Sequence, residues 1–158
     1  MRGLLWSMAM VVSLAIAQRA DALPADLTTF LAEMDAAQLE LQNGRPDAYK
    51  ALWSRADDVT LAGGLGGVIE KGWPAVARRL DWVGTQFSGG TNRIARVAAS
   101  ASGSLAYVVQ TEHLRYTAPG AATATVRDYR VTMVFRRESN QWRIVHRHAD
   151  TQTAKPVP

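Results

Sequence analysis

A run of twenty-two residues near the C-terminal end, YRVTMVFRRE–SN–QWRIVHRHAD (Tyr129 to Asp150), restricts the fold more than any other part of the chain. Val, Ile, Thr, Phe, Tyr and Trp alternate with charged residues on both sides of Ser139-Asn140, the pattern of two half-buried strands joined by a tight turn. A two-residue turn sets Phe135 opposite Ile144, Met133 opposite His146, Val131 opposite His148 and Tyr129 opposite Asp150. Side chains alternate across a strand with period two, so Trp142, Ile144, His146 and His148 are expected on one face. That face runs from apolar at the turn to titratable at the far end, as the wall of a small-molecule pocket does.

Strands of this kind continue upstream. About 93–100, 105–116 and 123–138 read as strands, separated by Ser102-Gly103 and Pro119-Gly120, and with 141–150 they make an antiparallel meander. Helices precede them. Leu27, Phe30, Leu31, Met34 and Leu41 recur at helical spacing, with Asp26 as expected N-cap and Asn43-Gly44 as the stop. Pro46 opens a short second helix over 47–53. A strand over 59–62 and the glycine-rich GGLGG (Gly63 to Gly67) follow. Gly72-Trp73-Pro74 then starts a third helix, which Ser88-Gly89-Gly90 ends. Helices first and strands after predict an α+β domain with its helices packed against one sheet.

The domain is expected to span 23–152, with 153–158 a frayed tail. Met1-Arg2, the apolar stretch Leu4 to Ala17 and the small residues Ala20-Asp21-Ala22 read as a cleaved export signal over 1–22, with a second candidate cut after Ala17. The stretch is short of the roughly 20 apolar residues that span a bilayer, so the mature protein is expected in the periplasm or medium without stable membrane insertion. The chain has no cysteine, which removes disulfides and thiolate metal sites. The net charge of +4 comes mostly from arginines scattered among acids, so nucleic acid is not an expected partner.

His146 and His148, with Asp150, are the candidate catalytic residues: a histidine for general acid/base work, with Asp150 or Glu112 holding its tautomer. The competing reading buries one histidine in the structure and lets the other line a pocket. His-x-His can also ligate zinc, but the third histidine, His113, lies two strands away, about 9.6 Å or more at about 4.8 Å per strand. No metal or other cofactor is therefore expected. Tyr129, Val131, Met133, Glu112 and Trp53 are the candidate ligand-binding residues. A buried Glu112 needs a partner or a raised pKa. Asp57 and Asp58 sit at a helix-to-strand turn and are assigned structural roles. GGLGG lacks the lysine and spacing of a phosphate loop and reads as a lip over the pocket mouth. Arg136 opposite Arg143 on the outer face calls for an anionic answer, from a second subunit or a bound anion, which suggests a homodimer.

The order helix–helix–strand–helix–meander, with ALWSRADDVTL (Ala51 to Leu61), the helix start at Gly72 to Leu80 and VFRRESNQWRIVHRHAD (Val134 to Asp150), resembles the SnoaL-like domains of the nuclear transport factor 2-like superfamily. The resemblance implies a cone: three helices packed on a strongly curved, mostly antiparallel sheet, with a pocket inside. It spans isomerases, dehydratases, hydrolases and non-catalytic assembly domains, so it leaves activity open. The position of the ketosteroid-isomerase base falls on Gly63, the first helix has no tyrosine, and the late-strand acid falls on or beside Val131. Steroid-isomerase chemistry is therefore not expected. The leading expectation is an exported domain binding a small, largely apolar molecule. A cofactor-independent acid/base enzyme and a homo-oligomeric assembly domain are the alternatives.

Overall fold

The computed structural model describes residues 22–152; the leader and the tail read from the sequence lie outside these, Ala22 excepted. Helices α1 (Ala25–Leu41), α2 (Asp47–Ala51) and α3 (Trp73–Gly84) pack on a sheet of β1 (Thr60–Ala62), β2 (Glu70–Lys71), β3 (Ser88–Ser102), β4 (Leu105–Thr117), β5 (Thr125–Glu138) and β6 (Gln141–Thr151). The strand order is β2-β1-β6-β5-β4-β3. All neighbours are antiparallel except β1 and β6, so the α+β sheet is mixed and stays open. Helix α2 stops short of Trp53, β2 is an element that the sequence pattern did not announce, and β3 begins where the third helix was expected only to end.

Helix α1 buries Leu27, Phe30, Leu31 and Met34 against the inner sheet face, where Val108, Val131, Met133, Phe135 and Ile144 are fully or almost fully buried. Phe30 meets Phe135 edge-on at 5.4 Å between centroids, the favoured arrangement of two aromatic quadrupoles. Asp26 is not the N-cap. Pro24 holds that position, and Asp26 Oδ2 instead accepts from Trp142 Nε1 at 3.1 Å and pairs with Arg137 Nη2 at 2.6 Å. The first turn of the helix is thereby tied to the tip of the C-terminal hairpin, and the carboxylate still lies near the positive helix end.

The hairpin turns as its sequence predicts, then departs from it. Ser139 and Asn140 both take positive φ (45° and 63°), the geometry of a tight two-residue turn. Phe135 pairs with Ile144 as expected. Beyond that point the register shifts: Val134 pairs with His146, leaving Val145 as an extra residue on β6. One inserted residue exchanges the two faces for everything that follows. Met133 therefore faces Arg147, not His146; Val131 faces Ala149, not His148; and Tyr129 faces Thr151, not Asp150. Arg147 and Ala149 point inwards. His146, His148 and Asp150 go to the outer face, with outward residues of β5 such as Thr132 and Arg130 as their neighbours.

Candidate functional site

Between the helices and the inner sheet face lies a cavity of about 70 Å³. Leu41, Leu61, Leu80, Val83, Phe87 and Leu114 form its apolar walls, and Gln38, Gln42, Tyr49, Glu112, Tyr129 and Arg147 its polar lining. The Gly63-Gly64-Leu65 segment covers one side. Gly64 lies flat against the Tyr129 ring: a Cβ there would stand 2.4 Å from Tyr129 Cε1, so only glycine admits this approach.

The polar lining is a continuous network. Arg147, inward through the β6 bulge, donates from Nη1 to Glu112 Oε1 and from Nη2 to Glu112 Oε2, both at 2.9 Å. Gln110 Nε2 donates to Glu112 Oε1 and Gln38 Nε2 to Oε2, both at 2.7 Å. Gln110 Oε1 in turn accepts from Arg96 Nη1 at 3.3 Å, and Arg96 Nη2 holds Asp35 at 2.9 and 3.0 Å. Two carboxylate oxygens offer about four acceptor sites, and on Glu112 four donors take them. Burial alone raises the Glu112 carboxyl. The Arg147 guanidinium, with the Gln110 and Gln38 amides, outweighs it and holds the pKa below the ordinary 4.5. Glu112 is thus an ionised strut with no lone pair to spare.

Seven other buried side-chain atoms among the described residues have no such satisfaction; Trp53 Nε1 and the two Asn92 amide atoms lie away from the cavity, and four border it. Gln38 Oε1 and Gln42 Oε1 meet no hydrogen-bonding partner among the described residues, Tyr49 Oη and Tyr129 Oη meet none of good geometry although the Arg147 and Arg127 guanidiniums lie near them, and all four side chains line the cavity. The Gln38 amide orientation follows from its neighbour: the nitrogen must face the saturated carboxylate, so the oxygen faces away from it. Burial pushes the Tyr49 phenol up to about 12, with Arg147 opposing, and burial likewise raises Tyr129, with Arg127 opposing. Both phenols are therefore protonated donors at neutral pH. The cavity offers hydrogen bonds and apolar contact. A group able to take a proton there would have to be released from the Glu112 network first.

The structure brings Glu112 and Tyr129 together at this cavity, with Tyr49. Val131, Met133 and Trp53 are core: Met133 is fully buried, and Val131 and Trp53 are each 1% exposed, and none lines the cavity. His146 Nδ1 lies 2.7 Å from Thr60 Oγ1 on the outer face, its pKa lowered by partial burial and by neighbouring His148. Asp150 pairs with Arg130, and His113 with Asp128 at 2.7 Å. The outer arginines need no second subunit to answer them. Arg136 pairs with Asp58 at 2.6 Å and Glu138 at 2.7 Å, and Arg143 donates to the Ala51 carbonyl and to Gln141.

Sequence reasoning missed Gln38, Tyr49 and Arg147 as cavity residues. Gln38 carried a signal: it occupies the apolar stripe of α1 between Met34 and Leu41, where a polar residue is out of pattern. Arg147 carried none, because nothing in VHRHAD announces a bulge at Val145.

The sequence model of the SnoaL-like domain matches residues 31–150. No protein of curated function matches the chain. Among solved structures, a nuclear transport factor 2-like superfamily protein from Salmonella enterica serovar Typhimurium superposes with a TM-score of 0.70 at 20% identity, over 83% of this chain and 96% of that one. A ketosteroid isomerase-like protein from Erwinia carotovora gives 0.68 at 16%, over 82% and 98%. A protein named as a calcium/calmodulin-dependent protein kinase type II association domain, from Thiobacillus denitrificans, gives 0.66 at 23%, over 80% and 94%. At these identities the likeness is one of fold.

Proposed function

The chain belongs to the SnoaL-like domain family, and from that premise we propose that it is an exported protein that binds a small, largely apolar molecule in its interior cavity and holds it without acid/base turnover. The observation that carries this reading is the set of four orphaned polar atoms facing one apolar-walled cavity. Buried polar groups in native proteins are paired, so groups left bare around a cavity are matched to something that enters it. Binding is favoured over catalysis because Glu112 is saturated and both phenols are protonated, while His146, His148 and Asp150 lie on the other face of the sheet. Export rests on the leader pattern of 1–22.

Native mass spectrometry of the mature protein tests this reading. A bound small molecule, released on denaturation and lost from a Gln38→Leu/Tyr49→Phe variant, is the expected result. An empty protein that no small molecule stabilises against heat contradicts it.

A second reading, self-association through the outer sheet face, has its own support. Leu105, Tyr107 and Val126 on that face are 51%, 44% and 50% exposed, with Val97, the bulge residue of β3, at 71%. Pairs such as Arg130–Asp150 and His113–Asp128 lie on the same face, giving apolar area with a polar rim. Light scattering at micromolar concentration is expected to give twice the monomer mass. A monomer mass counts against it.

A further inference from the structure

The charge balance of the cavity narrows the ligand, on the premise that the cavity binds one. Three charged side chains line it: Arg79, Glu112 and Arg147. Glu112 and Arg147 cancel in their bidentate pair. Arg79, on α3, pairs with no carboxylate among the described residues. Its guanidinium lies 4.2 Å above the Trp82 ring and spends Nη2 on the Gly66 carbonyl at 2.6 Å. The cover segment folds around it. Cβ atoms at Gly63 and Gly67 would stand 3.5 and 3.6 Å from the guanidinium, in van der Waals contact with it, and Gly66 and Gly67 take φ of 79° and 97°, where a side chain would be strained. A guanidinium has five N–H donors, so most of this one stays available beside the cavity, aromatic on one side and side-chain-free backbone on another.

We propose that the ligand is a short-chain monocarboxylate whose carboxylate is held by Arg79 and whose aliphatic body lies against Leu65, Leu80 and Val83. The planar fork of arginine matches a carboxylate, and one negative charge brings the lined space to neutrality. Size sets the chain length. A dry cavity of about 150 Å³ takes benzene, so one of about 70 Å³ takes roughly three carbons behind the carboxylate. Tyr49, Tyr129, Gln38 and Gln42 then serve water or a hydroxyl or carbonyl oxygen at the inner end.

Calorimetric titration of the mature protein with butanoate and with its neutral isostere butanamide tests the proposal. Butanoate is expected to bind about tenfold tighter or more, the margin of a charge-assisted hydrogen-bond pair over a neutral one. The margin is expected to vanish in Arg79→Gln and to shrink without vanishing in Arg79→Lys, which keeps the charge but not the fork, with near-ultraviolet circular dichroism showing that both fold. Raising salt from about 0.05 to about 0.5 M is expected to weaken butanoate alone, a reading that needs no variant. Equal binding of the two compounds, or a margin that survives Arg79→Gln, overturns the carboxylate assignment and leaves the cavity reading standing. Binding of neither also overturns the carboxylate assignment, and the native mass spectrum then decides the cavity reading by itself.

Discussion

Two ion pairs on one sheet, one reaching from β6 across β5 to β4 and the other joining β5 to β6, show how far surroundings decide what a charge does. Arg147–Glu112 faces the helices, with side chains 12% and 1% exposed; Arg130–Asp150 faces outwards, at 61% and 45%. Both are arginine–carboxylate pairs, and Arg147 and Asp150 are three residues apart on β6. The inner pair has two amide donors and an apolar shell around it, while the outer pair has water. An ion pair in water is screened and held loosely. A buried one is desolvated, and each partner is left in trouble if the other goes.

The largest effect that should separate the two is the loss of one inner partner. Glu112→Leu leaves the Arg147 charge buried and unanswered and is expected to cost about 3–5 kcal/mol in urea unfolding. Glu112→Leu/Arg147→Met is expected to recover most of that, because an apolar pair replaces both charges. A loss below about 1 kcal/mol in the single variant would put the inner pair in the class of the outer one.

Deleting Val145 has a smaller and more pointed effect. Without the extra residue Ile144 still faces Phe135 and Arg147 still faces Met133, so the deletion is expected to keep the fold and the cavity at a cost of about 0.5–3 kcal/mol. A regular ladder, by contrast, would leave Arg147 on the outer face of the parent chain, with no coupling to Glu112, and the deletion would bring it inwards. Loss of the Glu112 coupling in a double-mutant cycle on the deletion background would break the bulge account.

His146 gives a smaller, pH-dependent term. Its folded pKa is depressed by burial and His148, so its contribution is present above the ordinary 6.5 and is lost as pH falls through the folded value. The thermal midpoint is expected to drop between about pH 7 and pH 5, less steeply in His146→Gln. Smallest of all is Arg130→Ala on the exposed outer pair, expected to leave the thermal midpoint unchanged within error.

These contrasts mark where the sequence is informative. Period-two alternation and the Ser139-Asn140 turn place β5 and β6, and the α1 stripe places the helix on the sheet, because burial imposes those patterns directly. The inward carboxylate at Glu112 is legible for the same reason, as a charged residue among Val108, Leu114 and Tyr116. The β6 half of the site is not legible. A bulge is one residue of backbone irregularity, neither Gly nor Pro marks it, and Val145 is as good a strand residue as any neighbour. The error then propagates: a single-residue shift carries both histidines and Asp150 outwards and Arg147 inwards. Arg79 is hidden for another reason, since on α3 it reads as one more surface arginine until the Gly63–Gly67 segment is folded over it.

The central claim is that Glu112 is an ionised strut and not a proton acceptor, and a carbon-13 NMR titration of its side-chain carboxyl in the folded domain tests it most directly. The depressed folded pKa means stability present above about 4.5 and lost as pH falls through the folded value. The carboxyl is therefore predicted to stay ionised below pH 4.5 and to protonate together with acid unfolding. A reversible titration above 4.5 in the folded protein would show a carboxylate free to take a proton, and would turn the cavity from a binding site into an acid/base one.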